Sequence, residues 1–304
     1  MTTQKYFCSI DILTFRDHRV YVSTSIHIMA TSQQQDLVIF NDNSLISNEI
    51  LKSPSSYFSI ISHVQGTSPT WLINSLLENS LIGTACLVNN DLNKKIPNRS
   101  EVYFISFSHP KDFYIKNCKK NGLDLSLLPN FKFIDCFSDL FLKTIKNPNK
   151  ASSEVSKLFE NILDEINASA NSNKVIFIES MEILLSSTNI ESNELLKQCF
   201  KINKLCRQLF VILAQDYPQI IDLSVSIPQD SVFKITDFLL KLYHRSQLNL
   251  NLQPLPTGRA NDITGCLTVS KGAIPYENIE GVEVIEKEYI YYVNKESSIK
   301  LFFR

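Results

Sequence analysis

The sequence predicts an α/β fold: a doubly wound, mostly parallel sheet with an antiparallel β-meander at its C-terminal edge. Three observations predict it. Apolar strand-like runs alternate with helix-like segments from residue 57 to residue 243. Val175-Ile176-Phe177-Ile178 is a continuous apolar run, which needs cover on both faces as in the middle of a parallel sheet. From Leu248 onward the helical pattern stops, and Leu248-Asn249-Leu250-Asn251-Leu252 alternates strictly, the mark of a half-exposed strand. Repeated β-α units build parallel sheets because each helix carries the chain back across the sheet.

In chain order, Asp36 to Phe40 begins the patterned region, and Tyr57 to Ser62 reads as a short buried strand. Ser68 is expected as the N-cap and Pro69 as the first residue of a helix whose apolar face is Leu72, Ile73, Leu76 and Leu77. Glu101 to Phe107 is the next strand, ended by His109-Pro110, and Phe131 to Ile134 the third. A helix is expected from Ser138 to Ile145. A second, Ser152 to Ile166, is amphipathic through Val155, Leu158, Phe159, Ile162, Leu163 and Ile166. The strand Lys174 to Ser180, a helix Glu194 to Arg207, the strand Leu209 to Ala214 and a helix Val232 to Tyr243 complete the alternation. After Leu248 to Leu252, strands are expected at Ile263 to Ser270, Val282 to Val293 and Ile299 to Phe303. Turns at Pro256-Thr257-Gly258, Lys271-Gly272 and Asn294 to Ser297 separate them. Residues 33–304 read as one domain. Residues 1–32 are expected to be a disordered extension or the product of a misassigned start upstream of Met29.

Composition narrows the class. With 304 residues, 44% of them hydrophobic, the chain can bury a large core. The formal net charge of -1 gives no overall pull toward nucleic acid or membrane, so any such contact is local. Lys and Arg read as scattered rather than grouped. The seven cysteines, at 8, 86, 118, 136, 199, 206 and 266, form no CxxC pair and have no His at zinc-ligand spacing. They read as free buried thiols, with no metal and no cofactor. No apolar run approaches the roughly 18 residues of a membrane span. Lys5 and Asp11 interrupt the start, so no signal peptide is evident. The cytoplasm is the expected location, with the nucleus second.

The site such a fold usually offers is depleted. A ligand is expected where strand ends meet helix starts. The first such junction, Ile61-Ser62-His63-Val64-Gln65-Gly66-Thr67-Ser68-Pro69-Thr70, has one Gly and no Lys or Arg. A phosphate-binding GxxxxGK[ST] loop needs glycines so that amides wrap the phosphates, a Lys to neutralise them and a Ser or Thr for Mg²⁺. Glu179, at a strand end, reads either as a Mg²⁺-holding carboxylate or as a solvated one. His63 and His109 have no carboxylate or nucleophile that the sequence can place beside them, and His244 reads as a helix-end cap. No GxSxG motif is present.

One stretch is more distinctive. Leu252-Gln253-Pro254-Leu255-Pro256-Thr257-Gly258-Arg259-Ala260-Asn261-Asp262-Ile263-Thr264-Gly265 matches a pattern of roughly PLxTGxAxDVTG. Asp36 to Phe40, Thr70 to Leu76, Glu288-Tyr289 and Lys295 to Arg304 follow it collinearly. Together these segments resemble the family of sixth subunits of the eukaryotic Elongator complex, from about residue 33 to the end. The resemblance implies a RecA-like fold that has lost its nucleotide motifs. It implies a heterohexameric ring with Elongator subunits four and five, docked on the catalytic Elongator subcomplex and binding tRNA, in support of carboxymethyl-type wobble-uridine modification. On that reading the chain is not an enzyme, and any ATPase activity belongs to the assembled ring. Two rivals stay open: a diverged ATPase using Glu179 with residues of a neighbour, and a regulatory adaptor outside any ring. Arg259 and Lys271 are the candidate interface or tRNA contacts. Arg259 sits in a Gly-containing turn that exposes it, where its fork fits a carboxylate or a phosphate unless Asp262 pairs with it.

Overall fold

The computed structural model describes residues 35–85, 95–146, 150–216, 229–255, 262–276, 279–294 and 298–303. All belong to one compact unit, Gln33–Arg304. The N-terminal extension, the turn at 256–258, Arg259, Cys8 and Cys86 lie outside the described residues.

The elements run α1 (Asn48–Lys52), β1 (Tyr57–His63), α2 (Thr70–Ile82), β2 (Glu101–Ser106), α3 (Lys111–Lys120), β3 (Phe131–Asp135), α4 (Ala151–Asn167), β4 (Lys174–Glu179), α5 (Ile183–Ser187), α6 (Ser192–Asn203), β5 (Gln208–Ala214), α7 (Ser231–Tyr243), β6 (Leu248–Gln253), β7 (Gly265–Lys271), β8 (Lys287–Val293) and β9 (Ile299–Phe303). The nine strands form one sheet in the order β3-β2-β4-β5-β1-β6-β7-β8-β9. Strands β1 to β6 pair in parallel, and β6 to β9 pair antiparallel. β6 is the hinge of the design, because it lies parallel to β1 on one side and antiparallel to β7 on the other.

The alternation of side chains along each strand divides the core into two layers. Val102, Phe104, Val175, Phe177, Phe210 and Ile212 point to the layer that α2 and α3 cover. Tyr103, Ile105, Ile176, Ile178, Leu209 and Val211 point to the layer of α4 to α7. The central strands are therefore buried on both faces, which the unbroken apolar run in β4 required. The meander is packed on one face only. Leu248, Leu250, Leu252, Leu267, Tyr289, Tyr291 and Leu301 join the first layer, and Trp71 of α2 meets Tyr291 with ring centroids 5.1 Å apart.

Several expectations need correction. α2 begins at Thr70, one residue later than expected, with Pro69 rather than Ser68 in the cap position. Ser68 Oγ still accepts a long hydrogen bond from the Thr70 N–H, at 3.4 Å. The helix expected at Ser138 to Ile145 is a single π turn, Leu140–Thr144. Its two buried apolar side chains, Leu140 and Ile145, are five residues apart, and the wider turn puts both on one side. Val282 to Val293 is a strand only from Lys287; Val284 makes an isolated bridge to Phe40. α3 is a helix that the pattern did not announce. Only Tyr114 and Cys118 of its ten residues are buried, so its apolar stripe is two residues wide.

Candidate functional site

The carboxyl ends of β1, β2, β4 and β5 lie side by side, with His63 opposite Ala214 and Ser106 opposite Glu179 in the strand register. The loop after β1 is closed on itself. The Thr67 N–H donates to the Val64 carbonyl at 3.0 Å, and the Thr67 hydroxyl donates to the same oxygen at 2.7 Å. The Gln65 N–H donates to the Asp216 carboxylate from the end of β5. The Gln65 and Thr67 amides are thus already bonded, one of them to an anion of the chain itself. Gly66, at φ 89°, lets this turn form.

Glu179 is 4% exposed, so the solvated reading is wrong for it. Its carboxylate accepts from the Ser106 hydroxyl at 2.6 Å and from the Tyr114 hydroxyl, and His109 Nδ1 lies 3.3 Å away. Burial pushes this carboxyl up, but the hydrogen bonds from His109, Ser106, Tyr114 and Ser108 outweigh it and hold it below the ordinary carboxylate range. The Ser106 hydroxyl also accepts from the His109 N–H at 2.9 Å, which fixes the turn after β2. Sequence reasoning gave His109 no partner. The partner comes from β4, seventy residues away, and no local signal announces it.

Three residues on, Glu182 behaves in the opposite way. Ser180 takes φ 58°, and the chain turns so that Glu182 Oε1 accepts from the Ala214 N–H at 3.0 Å. Its other oxygen is buried without a partner among the described residues. Burial pushes its carboxyl up to about 7, and Glu179 nearby adds to the shift. His63 Nδ1 is likewise buried and unpartnered. Burial lowers the His63 pKa against the attraction of Asp216 and Glu179, so the imidazole is neutral at pH 7. Segments 63–70, 106–110, 179–182 and 214–216 contain three carboxylates and no Lys or Arg.

This chemistry disfavours a nucleotide triphosphate, whose charge needs cations and free amides. It does not form a hydrolytic relay either. Ser108 Oγ, at 3.0 Å, and Glu179 share the same His109 nitrogen, whereas a relay needs them on opposite nitrogens. Among the described residues, no three His, Cys, Asp or Glu side chains converge as a metal site. The described cysteines, at 118, 136, 199, 206 and 266, are buried.

Lys271 lies at the far end of the meander side, at the close of β7. Its ammonium pairs with Glu283 at 2.8 Å, beside a cleft of about 480 Å³ lined also by Asn41, Gln247 and Tyr276. The structure does not bring it to the strand-end site. His244 caps the C-terminus of α7.

No protein-family model matches the chain. It is similar to Elongator complex protein 6 of Saccharomyces cerevisiae, 28% identical over 285 residues that cover 91% of this chain and 100% of that protein. The chain is a relative of Elongator complex protein 6. A second relative, the Elongator complex protein 6 homolog of Schizosaccharomyces pombe, is 26% identical over 201 residues, 63% of this chain and 75% of that protein. The fold is RecA-like. Among solved structures, flagellar accessory protein FlaH from Methanocaldococcus jannaschii aligns with a TM-score of 0.50 and 13% identity, over 84% of this chain and 95% of that one. The likeness to Elongator complex protein 6 agrees with the family resemblance read from the segments around Leu252 to Gly265.

Proposed function

We propose that the chain is a non-catalytic subunit of an Elongator complex. In this reading it forms a heterohexameric RecA-like ring with subunits four and five. The ring docks on the catalytic Elongator subcomplex and binds tRNA in support of wobble-uridine modification, in the cytoplasm and also the nucleus. The single observation behind the reading is the likeness to Elongator complex protein 6 along that protein's whole length. The strand-end geometry supports the non-catalytic part, since Asp216 occupies a loop amide and segments 63–70, 106–110, 179–182 and 214–216 hold no Lys or Arg. Residues 33–304 supply the RecA-like wall.

Arg259 and Lys271 remain the proposed interface or tRNA contacts. The ion pair of Lys271 with Glu283 suits a role at a protein interface better than at a phosphate, because a phosphate would have to displace the carboxylate. The deciding experiment is purification of the tagged chain from its own cells. Subunits four, five and the catalytic subcomplex should co-purify at a native mass containing two copies of each ring subunit, and deletion of the chain should remove the wobble modification. A chain that runs alone, with modification intact in its absence, would sink the reading.

A further inference from the structure

The chain as a whole is close to neutral, and several of its described lysines are ion-paired. Lys52 pairs with Glu49, Lys143 with Asp139, Lys241 with Asp237 and Lys271 with Glu283. α3 is rich in lysine and poor in acids. Its ten residues hold Lys111, Lys116, Lys119 and Lys120 against a single acid, Asp112. All four lysines are exposed. Lys119 pairs with Asp124 at 3.1 Å, whereas Lys111, Lys116 and Lys120 have no carboxylate within ion-pair distance among the described residues. Lys116 and Lys120 are one turn apart on the same face. Lys119 and Lys120 complement the negative end of the helix dipole, but Lys111 stands at the positive end, where a cation is disfavoured. Helix stability therefore accounts for part of the cluster and not for Lys111.

The head of the same helix carries an aromatic platform. The His109 ring stacks on Phe113 with centroids 4.1 Å apart and planes 18° apart, and the His109 side chain is 42% exposed. Glu179 and Ser108 hold its Nδ1, so the ring is fixed rather than free to rotate. Unpaired ammonium groups on a helix headed by a fixed, half-exposed ring suit RNA: phosphates take the charges and an unstacked base takes the ring. An acidic protein surface would use the charges and leave the ring without a role.

We propose that α3, through Lys111, Lys116 and Lys120 with His109 at its head, is a contact surface for an RNA backbone. The proposal rests on the reading of the chain as a subunit that acts on tRNA, and it names the face that would do so. Sequence reading missed it because the helix itself was missed.

The test titrates a fluorescent, unmodified tRNA transcript into the full chain, alone and with its co-purified partners, over a range of salt. A Lys111→Ala, Lys116→Ala, Lys120→Ala triple variant should bind on the order of ten-fold more weakly or worse, with the salt slope reduced by about two units. His109→Ala should weaken binding without changing the slope. Lys52→Ala with Lys143→Ala should leave binding as it was, and all variants should keep a cooperative thermal transition. Wild-type affinity and slope in the triple variant would overturn the proposal, as would a wild-type chain that binds no transcript in either state. Loss of polyglutamate binding by the triple variant, with transcript binding intact, would also overturn it and assign α3 to an acidic protein partner. Failure of the functional reading shows separately, as failure to co-purify with Elongator subunits, while the titration of the chain alone still decides α3.

Discussion

Glu179 and Glu182 are three residues apart, both nearly inaccessible, and their pKa values move in opposite directions. Number of donors decides the sign. Glu179 collects hydroxyl and imidazole donors from β2, α3 and the turn between them, whereas Glu182 has only backbone amides and leaves one oxygen unpartnered among the described residues. Glu179→Ala should cost roughly 2–4 kcal/mol at neutral pH, because Ser106 and Tyr114 would be left buried without their acceptor. Glu179's folded pKa is depressed, so its stabilisation is present above the ordinary carboxylate range and fades as pH falls through the folded value. Chemical denaturation at pH 7 checks the cost, and a change under about 1 kcal/mol would contradict it. Glu182 has a raised folded pKa, so stability declines as pH rises from the ordinary value of 4.5 to about 7 and is level above that. Glu182→Gln keeps the acceptor for Ala214 and removes the charge. It should stabilise the protein above pH 7 by up to roughly 3 kcal/mol, with the gap closing below about pH 4.5. Equal melting temperatures of the two proteins at pH 8 would refute this.

At the scale of the element, legibility follows how many residues an element buries. α4 was readable because Val155, Phe159, Ile162 and Ile166 repeat on one face. β6 was readable because Leu248, Leu250 and Leu252 face the core while Asn249 and Asn251 do not. α3 buries two side chains, too few for a period, although Pro110, Asp112 and Gly122 at φ 85° mark its ends and were the available signal. The meander depends on a close approach at Gly272, whose added Cβ would fall 2.0 Å from the Ser246 carbonyl oxygen. The Gly272 N–H also donates to the Gln247 carbonyl at 2.8 Å, which seats the end of β7 against the start of β6. Gly272→Ala must push backbone apart, so it should destabilise by about 1–3 kcal/mol or more. A variant with wild-type melting temperature would show that the turn has room to yield.

For the whole molecule, the question is whether the chain works alone. Phe137 and Phe141 are about half exposed and Leu142 is 80% exposed, all in the segment that follows the edge strand β3. Apolar side chains clustered in this way favour association. Without its proposed partners the chain should self-associate as its concentration rises, as light scattering would register. The purified chain should also show no ATP turnover above background, since the loop after β1 spends its amides on Val64 and Asp216. Turnover that survives Glu179→Ala but disappears on substituting Gly66 or Thr67 would show that the loop is active after all.

The sequence by itself determined the fold class, the order of most elements, the absence of a phosphate-loop Lys and the resemblance to the Elongator subunit-six family. All of these rest on local composition and period, which the chain carries without reference to its neighbours in space. Only the tertiary structure decided the rest. The sheet order places Ser106 beside Glu179 and Ala214 beside His63, so the partners of Glu179 and Glu182 and the strand neighbour of His63 come from segments tens to more than a hundred residues away. Glu179 reads as a solvated strand-end carboxylate until β2 and α3 close over it. The same holds for charge: Lys116 and Lys120 share a face only when their segment turns into a helix with one side against the core. Contact between distant segments and direction on a helix are properties of the packed chain, and a linear pattern with two buried positions does not specify them.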